Sequence, residues 1–593
     1  MLFNHANIIY NPLQEATKDL AKEDCNLIVL APTSSGKTIV AEQVFNATKG
    51  RCLYLSPFKA LTSEKLLTWA DVKSKVAITG DHKKVRSVQE DLVLMTTESL
   101  DSKSRSMVRW LQEVKSIVCD ESHLLSVDKR GDAFEIGLTR TSRLTNARIV
   151  FLSATMPNTK ELAEWLTTLN GKPTEVIKTD WRPVKLNYEF IKTKNYEWDF
   201  NSDAVHICKT VTRQRPDSSV LIFVHSIAKG QMLSKALGAP FHCSRKGMKE
   251  RQQIEEDFRS RKLKVLISTS TLAWGINMPC DVGVIVGAHR GPMPVDIYDL
   301  KQMAGRIGRY GLSTTGVVFF ILKNGYYDWV VQGLTEIRPV RSVLDERLYF
   351  HLCSFIAREH MGYDEIKDFL EKTLAWQQEI VDEEVLNRAI EKLQMYSILS
   401  KALEPTSIAR ASAYMYVDPI DLWHMRKNLS AKPNGPKLIA KALAEVPSME
   451  YEITLPDIDL KWIECKYSAQ TVLTTALAHW LSGEDMPIGL GFVLGMFIKD
   501  LPRWMSALRM SGLDSAYAAE LEIVVLNGVP FETAELVTLP GIGRKKAARL
   551  FAAGIKNKKD LKNQQVLAEK LLGPKTAIQA FAMLNEGKVI LNF

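Results

Sequence analysis

The chain has 593 residues, of which 46% are hydrophobic and 24% charged, and its formal net charge is +9. This is the composition of an ordinary globular protein, and at roughly 150 residues per domain the length predicts about four domains. The longest apolar run, residues 487–498, is interrupted by glycine and far shorter than the ~20 residues that span a bilayer. The mild positive charge permits a polyanionic partner without requiring one.

The N-terminus and the cysteines predict a soluble intracellular protein. The opening segment MLFNHANIIYNP has no basic region ahead of an apolar one, so we expect no signal peptide. The eight cysteines are scattered without a CxxC pair, which argues against a zinc site and against a disulfide framework. A reducing compartment is therefore expected, either the cytoplasm with its nucleoid or the nucleus.

The first predicted element that carries chemistry is an apolar strand at Leu27–Leu30, followed by the loop APTSSGKT and an amphipathic helix. In this context the backbone N–H groups of a loop and of a helix N-terminus surround phosphates. We expect Lys37 to reach the β and γ phosphate oxygens and the Thr38 hydroxyl to bind Mg²⁺. The usual pattern begins with Gly, whereas this loop begins with Ala31. The predicted phosphate-binding residues are Ala31, Pro32, Thr33, Ser34, Ser35, Gly36, Lys37 and Thr38.

Two further apolar strands end in polar motifs. The stretch VKSIVCDESHLL places Asp120 and Glu121 at the end of a strand. There Asp120 would coordinate Mg²⁺ and Glu121 would activate the attacking water. The alternative is an acidic pair that opens a helix. The stretch RIVFLSATMP ends a third strand at Ser153, Ala154 and Thr155.

Strands and motifs continue further along the chain. SSVLIFVHS predicts a strand that ends at Ser226, and QMAGRIGRYG (302–311) carries Arg306 and Arg309. Phosphoryl transfer gains greatly from an arginine that stabilises charge on the γ-phosphate. If a second domain supplies these arginines, they act only when the cleft between the domains closes. The alternative, from helical spacing alone, is a solvated basic face.

In this order, APTSSGKT, DESH and SAT resemble the first motor domain of the superfamily 2 helicases. The resemblance continues in YNPLQ, YLSPFKALTSEK, ITGD, MTTESL, LKVLISTSTLAWGINMP and QMAGRIGRYG. It implies an α/β fold with two tandem RecA-like parallel-sheet domains, ATP and Mg²⁺ as cofactors, Gln14 as the reader of adenine, and Gln302 in the catalytic set. The residues implied to couple hydrolysis to the strand are His123, Ser153, Ala154, Thr155 and Gly275.

The particular residues of these motifs narrow the resemblance to the Ski-like branch, which includes RNA helicases and HelQ-type DNA repair helicases. DESH replaces DEAD, and GINMP and QMAGRIGR are typical of that branch. The run EPTSIARASAYMYVDP resembles the winged helix that follows the motor there, with Ile408-Ala409 where HelQ-like relatives usually have Leu-Gly. Relatives then have a helical bundle, whose long ratchet helix crosses the translocating strand, and a terminal element related to a helix-hairpin-helix.

The segment 416–525 is predicted to be helical, and its best ratchet candidate is IKDLPRWMSALRMSG. An exposed Trp504 could stack on a base, worth ~1–3 kcal/mol, with Arg503 near a phosphate. The alternative is a core position for Trp504, because Leu508 lies four residues on, on the same helical face. Two other tryptophans predicted to lie in the core are Trp462 and Trp480.

The stretch LPGIGRKKAARL (539–550) resembles a helix-hairpin-helix. In such an element the turn at Gly541 and Gly543 exposes backbone N–H groups to a phosphate, and Lys545 and Lys546 would add charge at the same edge. Taken alone, the stretch is equally compatible with a glycine-opened helix that only packs.

The segment between GINMP and QMAGRIGR departs from the family. Relatives carry a strand-separating β-hairpin there, whereas this chain has only GAHRGPMP available for a turn, with Arg290 and Met293 as tip residues. Strand separation is therefore expected to be weaker, or to depend on the winged helix or the terminal domain.

The resemblance implies an ATP-dependent DNA helicase that translocates 3′→5′ along single-stranded or forked DNA as a monomer, in repair, recombination or fork processing. Two alternatives stay open: an RNA helicase of the same branch, and an ATP-dependent remodeller that does not unwind. The predicted domains are a first RecA-like domain (1–180), a second one (181–335), a winged helix (336–415), a helical bundle with a ratchet-like helix (416–525) and a helix-hairpin-helix domain (526–593). The remaining predicted contacts to the strand are Pro57, Lys59, Thr97, Ser226, Thr269 and Arg290.

Overall fold

The computed structural model describes residues 2–5, 8–57, 59–79, 87–127, 130–182, 184–194, 197–269, 272, 280–290, 293–308, 315–336, 338–456, 464–484, 486 and 490–586. The chain divides into two compact units. The first comprises Met1–Arg347 and Lys367–Glu384, and the second comprises Leu348–Ile366 and Val385–Phe593. Within the described ranges, no helix combines the length and the apolar character that crossing a bilayer requires.

The first unit begins with a seven-stranded sheet. Its strands are β1 Asn26–Leu30, β2 Arg51–Ser56, β3 Lys75–Ile78, β4 Leu92–Thr96, β5 Val114–Asp120, β6 Arg148–Ser153 and β7 Thr174–Lys178. Their spatial order is β3-β4-β2-β5-β6-β1-β7, and every pairing is parallel. Parallel strands are covered on both faces, which explains why β1 reads as the unbroken apolar run NLIVL.

Six α-helices accompany this sheet. They are α1 Pro12–Thr17, α2 Lys37–Ala47, α3 Lys59–Thr68, α4 Thr97–Arg105, α5 Gly131–Leu144 and α6 Thr159–Asn170. Successive side chains of a strand point to opposite faces, so β1 contributes to two hydrophobic cores. Ile28 and Leu30 join one core, and Leu27 and Val29 join the other.

A second parallel sheet follows in the same unit. Its strands are β8 Lys185–Thr193, β9 Val220–Val224, β10 Phe241–His242, β11 Val265–Ser268, β12 Val282–Val286 and, after a short hairpin, β15 Thr315–Lys323. Their spatial order is β10-β11-β9-β12-β15-β8. The accompanying helices are α7 Glu197–Gln214, α8 Ile227–Leu237, α9 Met248–Arg259, α10 Ile297–Gly305 and α11 Asn324–Thr335. Two parallel sheets with helices between their strands confirm the predicted α/β fold class.

The short hairpin lies between β12 and α10. Its strands, β13 His289–Arg290 and β14 Met293–Pro294, pair antiparallel, with Arg290 opposite Met293. The segment predicted to form a turn is therefore a short hairpin, in which Arg290 and Met293, predicted as tip residues, instead pair with each other in the strands. The two residues between them, 291 and 292, lie outside the described residues.

A strap, defined here as residues 338–347, belongs to the first unit and lies against α5 and α6. Glu135 of α5 accepts hydrogen bonds from the Ser342 hydroxyl at 2.5 Å and from the Ala375 backbone N–H at 2.8 Å. The Val340 N–H donates to Asn158 Oδ1 at 2.9 Å, and the Arg341 N–H donates to Ser126 Oγ at 2.7 Å. Polar contacts therefore attach the strap directly to the first sheet domain.

Helices dominate the remainder of the chain. They are α12 Leu348–Arg358, α13 Tyr363–Leu370, α14 Leu374–Gln377, α15 Glu383–Met395, α16 Ser407–Met415, α17 Pro419–Leu429, α18 Pro436–Ala444, α19 Ala469–Ser482, α20 Leu490–Met510, α21 Ser515–Asn527, α22 Ala534–Val537, α23 Arg544–Ala552, α24 Lys558–Asn563, α25 Gln565–Leu572 and α26 Pro574–Glu586. The helical expectation for 416–525 was incomplete, because β16 Glu452–Pro456 and β17 Glu464–Ser468 form an antiparallel pair there. Residues 336–415 contribute to both units, and an isolated bridge joins Leu399 to Pro405.

Two features of the second unit bear on the predicted strand contacts. The helix α20 is 21 residues long, contains Pro502 and packs against α16, α19 and α21. The last five helices enclose a small core of their own, to which Ile542, Leu550, Leu561 and Phe581 contribute.

Candidate nucleotide-binding site

Three motifs meet at one edge of the first sheet. The phosphate loop follows β1, Asp120 ends β5 and Ser153 ends β6, and these three strands are neighbours in the sheet. The carboxyl ends of parallel strands share one edge, where open α/β sheets bind ligands. The order of the strands therefore assembles residues that lie more than a hundred positions apart.

The phosphate loop turns sharply before α2 begins at Lys37. Ser34 and Gly36 both have left-handed backbones, with φ of +71° and +89°. Glycine is favoured at position 36 by its left-handed φ, and a Cβ there would lie 2.2 Å from Gln14 Nε2, so the Gln14 side chain would have to move. The backbone of the loop therefore lies in close contact with Gln14 of α1.

Lys37 and Thr38 stand at the start of α2. The Lys37 ammonium donates to the carbonyls of Ala31 at 2.6 Å and Pro32 at 3.2 Å. Burial lowers the pKa of Lys37, while the nearby Glu121 and Asp120 oppose that shift. The Lys65 ammonium donates to Thr38 Oγ1 at 3.0 Å. Lys65 was missed by the sequence interpretation, and no local pattern signals that this α3 residue reaches the loop.

Gln14 holds the loop from the side of α1. Only 6% exposed, it donates from Nε2 to the Gly36 carbonyl at 3.3 Å. Asn11 caps α1 and donates from Nδ2 to the Ser35 carbonyl at 2.9 Å. Asn11 was also missed, although the order Asn-Pro-Leu-Gln is the signature of a capping box and would have revealed it. The reading of adenine by Gln14 stays a prediction.

The acidic pair occupies a constrained backbone. Glu121 adopts φ +52°, a conformation that non-glycine residues rarely take and that concentrates at functional sites. Its N–H donates to Asp120 Oδ1 at 3.0 Å, and the Tyr54 hydroxyl donates to the other Asp120 oxygen. Burial raises the pKa of Asp120, as does the neighbouring Glu121, while Lys65 opposes the shift. Among the described residues, Glu121 Oε2 accepts no hydrogen bond, although His123 Nδ1 lies 3.5 Å from it.

Ser153 lies between the loop and the acidic motif. Its carbonyl accepts a hydrogen bond from the Ala31 N–H at 3.0 Å, and its hydroxyl lies 3.0 Å from His123 Nδ1. His123 is 3% exposed, and burial lowers its pKa to about 3, so its imidazole is neutral. Ala154 and Thr155 follow as half-buried residues. The coupling role of these residues remains a prediction. The contacts of Ser153 with Ala31 and with His123 connect the phosphate loop to the acidic motif, as such coupling requires.

The helix α10, from the second sheet domain, closes the other side of the site. Gln302 donates from Nε2 to Glu121 Oε1 at 2.8 Å. Arg306 ends the helix, where burial lowers the pKa of its guanidinium and the carboxylates of Glu64, Glu121 and Asp120 oppose that shift. The Ser34 hydroxyl donates to the Gly305 carbonyl at 3.4 Å, and a Cβ on Gly305 would lie 2.9 Å from Thr33. Gln302 therefore contacts the acidic pair and Arg306 lies within its electrostatic influence, while the catalytic role of both residues stays a prediction.

Arg182 secures the end of α10 and was missed by the sequence interpretation. It lies between β7 and β8 and donates to the carbonyls of Ile307 at 2.7 Å and Gly305 at 3.3 Å. Burial lowers its pKa. The predicted site residues Arg309 and Gly275 lie outside the described residues.

The chain matches two helicase families in tandem. Residues 11–162 match the DEAD/DEAH box helicase family, and residues 203–311 match the helicase conserved C-terminal domain. The first match contains β1 to β6 of the first sheet, and the second contains β9 to β12 of the second sheet. These matches confirm the resemblance to the superfamily 2 helicases of the Ski-like branch.

Curated relatives match this helicase along most of its length at modest identity. An ATP-dependent DNA helicase Hel308 of Pyrococcus abyssi is 27% identical, with 94% of this chain and 90% of that protein covered. An ATP-dependent DNA helicase Hel308 of Methanocella arvoryzae is 25% identical, with 97% and 93% covered. The protein of the same name from Thermoplasma volcanium is 26% identical, with 96% and 94% covered.

The predicted strand contacts in the helicase motor differ in accessibility. Lys59, Ser226 and Arg290 are exposed, and Thr269 is half-buried. Thr97 is only 4% exposed because α4 packs against α5, so its side chain does not reach the surface, contrary to the prediction. Pro57 is buried too, and its carbonyl accepts a hydrogen bond from Arg130 Nη1 at 2.9 Å.

The ratchet candidate of the helicase lies in α20. Arg503 is exposed and forms an ion pair with Asp500 at 2.8 Å. Trp504 is half-buried. Its exposure therefore lies between the two predictions, an exposed position that stacks on a base and a position in the core.

The terminal segment 526–593, for which a helix-hairpin-helix is predicted and which is called the terminal hairpin, separates its basic residues. Gly541 has φ +77°, and Gly543 is the extended residue that precedes α23. Lys545 is exposed and, among the described residues, makes no ion pair. The Lys546 ammonium instead donates to the Gly541 carbonyl at 3.2 Å and to the Thr576 hydroxyl. The prediction that both lysines add charge at the phosphate edge therefore fits Lys545 better than Lys546.

Arg544 connects the hairpin to α19. Its guanidinium lies 4.5 Å from the centre of the Trp480 ring and donates to the Glu484 carbonyl at 3.0 Å. The Trp480 indole N–H donates to the Val525 carbonyl at 2.7 Å. Trp480 is half-buried rather than a core residue as predicted, and the Arg544 guanidinium packs over its ring. Trp462, also predicted to lie in the core, is outside the described residues.

Proposed function

We propose that this chain is an ATP-dependent DNA helicase that moves 3′→5′ along single strands. The observation that carries the proposal is the hydrogen bond from Gln302 to Glu121, with Arg306 in the field of the same acidic pair. Hydrolytic residues of one sheet domain are completed by residues of the other, so hydrolysis depends on how the two domains meet. A motor that converts ATP turnover into movement needs this dependence.

Within this proposal, the first sheet domain binds ATP. Gln14 reads adenine, the loop 31–38 surrounds the phosphates, and Lys37 exchanges its carbonyl partners for phosphate oxygens. Glu121, with its buried unpaired oxygen, orients and deprotonates the attacking water. Arg306 and Arg309 stabilise charge on the transferred phosphoryl group.

The residues at this edge fit a magnesium ion. Thr38 and Asp120 offer a hydroxyl and a carboxylate, the hard oxygen donors that Mg²⁺ prefers together with phosphate oxygens and water. The Lys65 ammonium already lies on the Thr38 hydroxyl, so this position accepts a cation. When bound, Mg²⁺ neutralises charge on the β and γ phosphates.

The comparison with relatives supports DNA as the strand. The named relatives, which match nearly the whole chain, are DNA helicases. We propose that the winged helix (336–415), the bundle with its ratchet helix (416–525) and the terminal hairpin (526–593) contact the strand through its backbone. Such contacts are largely independent of sequence and sensitive to salt.

The test compares ATP hydrolysis by the full chain in the presence of single-stranded DNA and RNA of equal length. We expect DNA to stimulate turnover several-fold more than RNA. Equal or greater stimulation by RNA would contradict the DNA assignment and favour an RNA helicase of the same branch. A forked DNA with a 3′ tail, compared with one carrying a 5′ tail, then tests direction: only the first should unwind.

A second candidate is a DNA remodeller that moves without unwinding. The specific observation in its favour is the small hairpin β13–β14, whose strands have two residues each. Displacement of streptavidin from a biotinylated single strand measures movement without strand separation. Displacement with no unwinding of the 3′-tailed fork would support the remodeller, whereas both activities together support the helicase.

A further inference from the structure

The aromatic residue Tyr298 has no assigned role, yet it contacts the acidic motif directly. It lies in the first turn of α10, where its N–H donates to the cap residue Asp296 at 2.8 Å. Its ring stacks on the His123 imidazole, with 4.3 Å between ring centres and 22° between ring planes. The contact joins the helix of the second sheet domain to the DESH motif of the first.

Three contacts surround the His123 ring, and in one of them Nδ1 lies 3.5 Å from Glu121 Oε2. One face is covered by Tyr298, and Nδ1 on its edge lies 3.0 Å from Ser153 Oγ. The ring is neutral at physiological pH, so its alignment depends on packing and on one hydrogen bond rather than on an ion pair. Movement of Tyr298 therefore displaces the ring that contacts Ser153.

Tyr298 and Gln302 act from the same face of α10. They are four residues apart, which places their side chains one above the other on a helix. Gln302 contacts Glu121 and Tyr298 contacts His123, so one helix face holds the acidic motif at two points two residues apart. A shift of α10 displaces both points together.

We propose that Tyr298 is a positioning residue which, through His123, transmits movement of α10 to Ser153 and so couples closure of the cleft to ATP hydrolysis. The proposal rests on the proposed function as a motor. Tyr298 touches no reacting atom, and its effect passes through His123. Among the described residues, its hydroxyl forms no hydrogen bond, so the aromatic face carries the effect.

The test uses Tyr298→Ala and Tyr298→Phe in the full chain. We expect Tyr298→Ala to lower kcat of the strand-stimulated ATPase roughly threefold to tenfold, the range of a lost aromatic stack, with KM for ATP changed less than twofold. Tyr298→Phe should restore kcat because it keeps the ring. A raised KM with unchanged kcat, or a phenylalanine variant as slow as the alanine variant, would overturn the proposal.

Two controls separate positioning from loss of structure. Tyr298→Leu fills the volume without an aromatic face, and we expect the same kcat defect with a Tm close to that of the unchanged protein. Tyr327→Ala removes another half-buried tyrosine, on α11, and should lower Tm without lowering the ratio of stimulated to basal turnover. A leucine variant with full kcat would overturn the proposal.

The two hypotheses fail in different ways. If the unchanged protein hydrolyses ATP but no nucleic acid stimulates it, the motor function fails, whatever the variants show. If DNA stimulates the unchanged protein and Tyr298→Ala responds equally, the proposed function stands and the role of Tyr298 fails.

Discussion

At the scale of single residues, Glu121 shows how a catalytic position is recognised physically. Its backbone adopts φ +52°, and its buried Oε2 accepts no hydrogen bond within the described chain, while Gln302 holds its other oxygen. Both the strained backbone and the unpaired oxygen cost stability. A folded protein keeps such a residue when the arrangement serves a ligand, which here is the attacking water of the proposed reaction.

Replacing Glu121 by Gln tests this assignment. The amide keeps the shape and the contact to Gln302 but cannot take a proton, so we expect kcat for ATP to fall about 10²- to 10⁴-fold. Single-stranded DNA affinity should change less than twofold, as measured by fluorescence anisotropy. Glu164→Gln, on the exposed face of α6, is the matched control and should hydrolyse ATP normally. Normal turnover by Glu121→Gln would show that the base lies elsewhere.

At the scale of elements, the terminal hairpin separates two adjacent lysines by function. Lys545 projects into solvent, whereas Lys546 connects the Gly541 turn to Thr576 of α26. A basic pair in the sequence therefore becomes one free charge and one internal support. The difference arises because the side chains of consecutive helical residues point about 100° apart.

Charge reversal at Lys545 is expected to weaken binding to single-stranded DNA. The loss of one phosphate contact should reduce the slope of log Kd against log salt by about 0.7. Lys546→Met should instead lower the thermal stability of the full chain, with a smaller effect on that slope. Lys570→Glu, an equal charge change on α25, is the control. A slope reduced as much by Lys570→Glu would indicate a general electrostatic effect rather than a specific grip.

The strap is a second element whose attachment can be tested, through pH. Burial raises the pKa of Glu135 to about 7 from its ordinary 4.5, although the Ser342 hydroxyl partly opposes the shift. The folded state therefore binds more protons than the unfolded state between these values, so stability falls as pH rises from about 4.5 to 7 and is level above that range. A shift of this size corresponds to at most roughly 3 kcal/mol.

Glu135→Gln removes this titration while keeping a hydrogen-bonding group of the same shape. We expect its urea midpoint to exceed that of the unchanged protein at pH 8 and to vary less between pH 5 and pH 8. Glu164→Gln should follow the pH dependence of the unchanged protein. A Glu135→Gln profile parallel to the unchanged protein would show that Glu135 titrates normally in the folded state.

At the scale of the whole molecule, the nucleotide site spans two sheet domains, and both domains expose predicted strand contacts such as Lys59 and Arg290. A ligand that favours one arrangement of the domains must change the affinity for any other ligand that favours the same arrangement. ATP and the strand are therefore expected to be linked in their binding, and linkage is reciprocal.

This linkage gives a quantitative expectation. A non-hydrolysable ATP analogue should change the Kd for single-stranded DNA by some factor, and saturating DNA should change the Kd for the analogue by the same factor. Equilibrium anisotropy with a labelled oligonucleotide and with a labelled analogue measures both. A factor of one in both directions would contradict a motor whose domains respond jointly to ATP and to the strand.

The sequence by itself determined the α/β class, the phosphate loop and the acidic motif. Each depends on short patterns in which neighbouring residues carry the whole signal: an apolar strand, then a loop or an acidic pair, then a helix. Local chemistry suffices there, because the carboxyl ends of parallel strands assemble such motifs automatically. The capping box of Asn11 with Gln14 belongs to the same class and was readable.

Only the tertiary structure decided which distant side chains complete these motifs. It brought Lys65 to Thr38, Tyr298 to His123 and Arg544 to Trp480, and it left Thr97 only 4% exposed. These outcomes depend on how helices pack over sheets and over one another, which places residues far apart in the chain within a few ångströms. No short pattern encodes such pairs, because the free energy that selects them belongs to the packed whole rather than to any one segment.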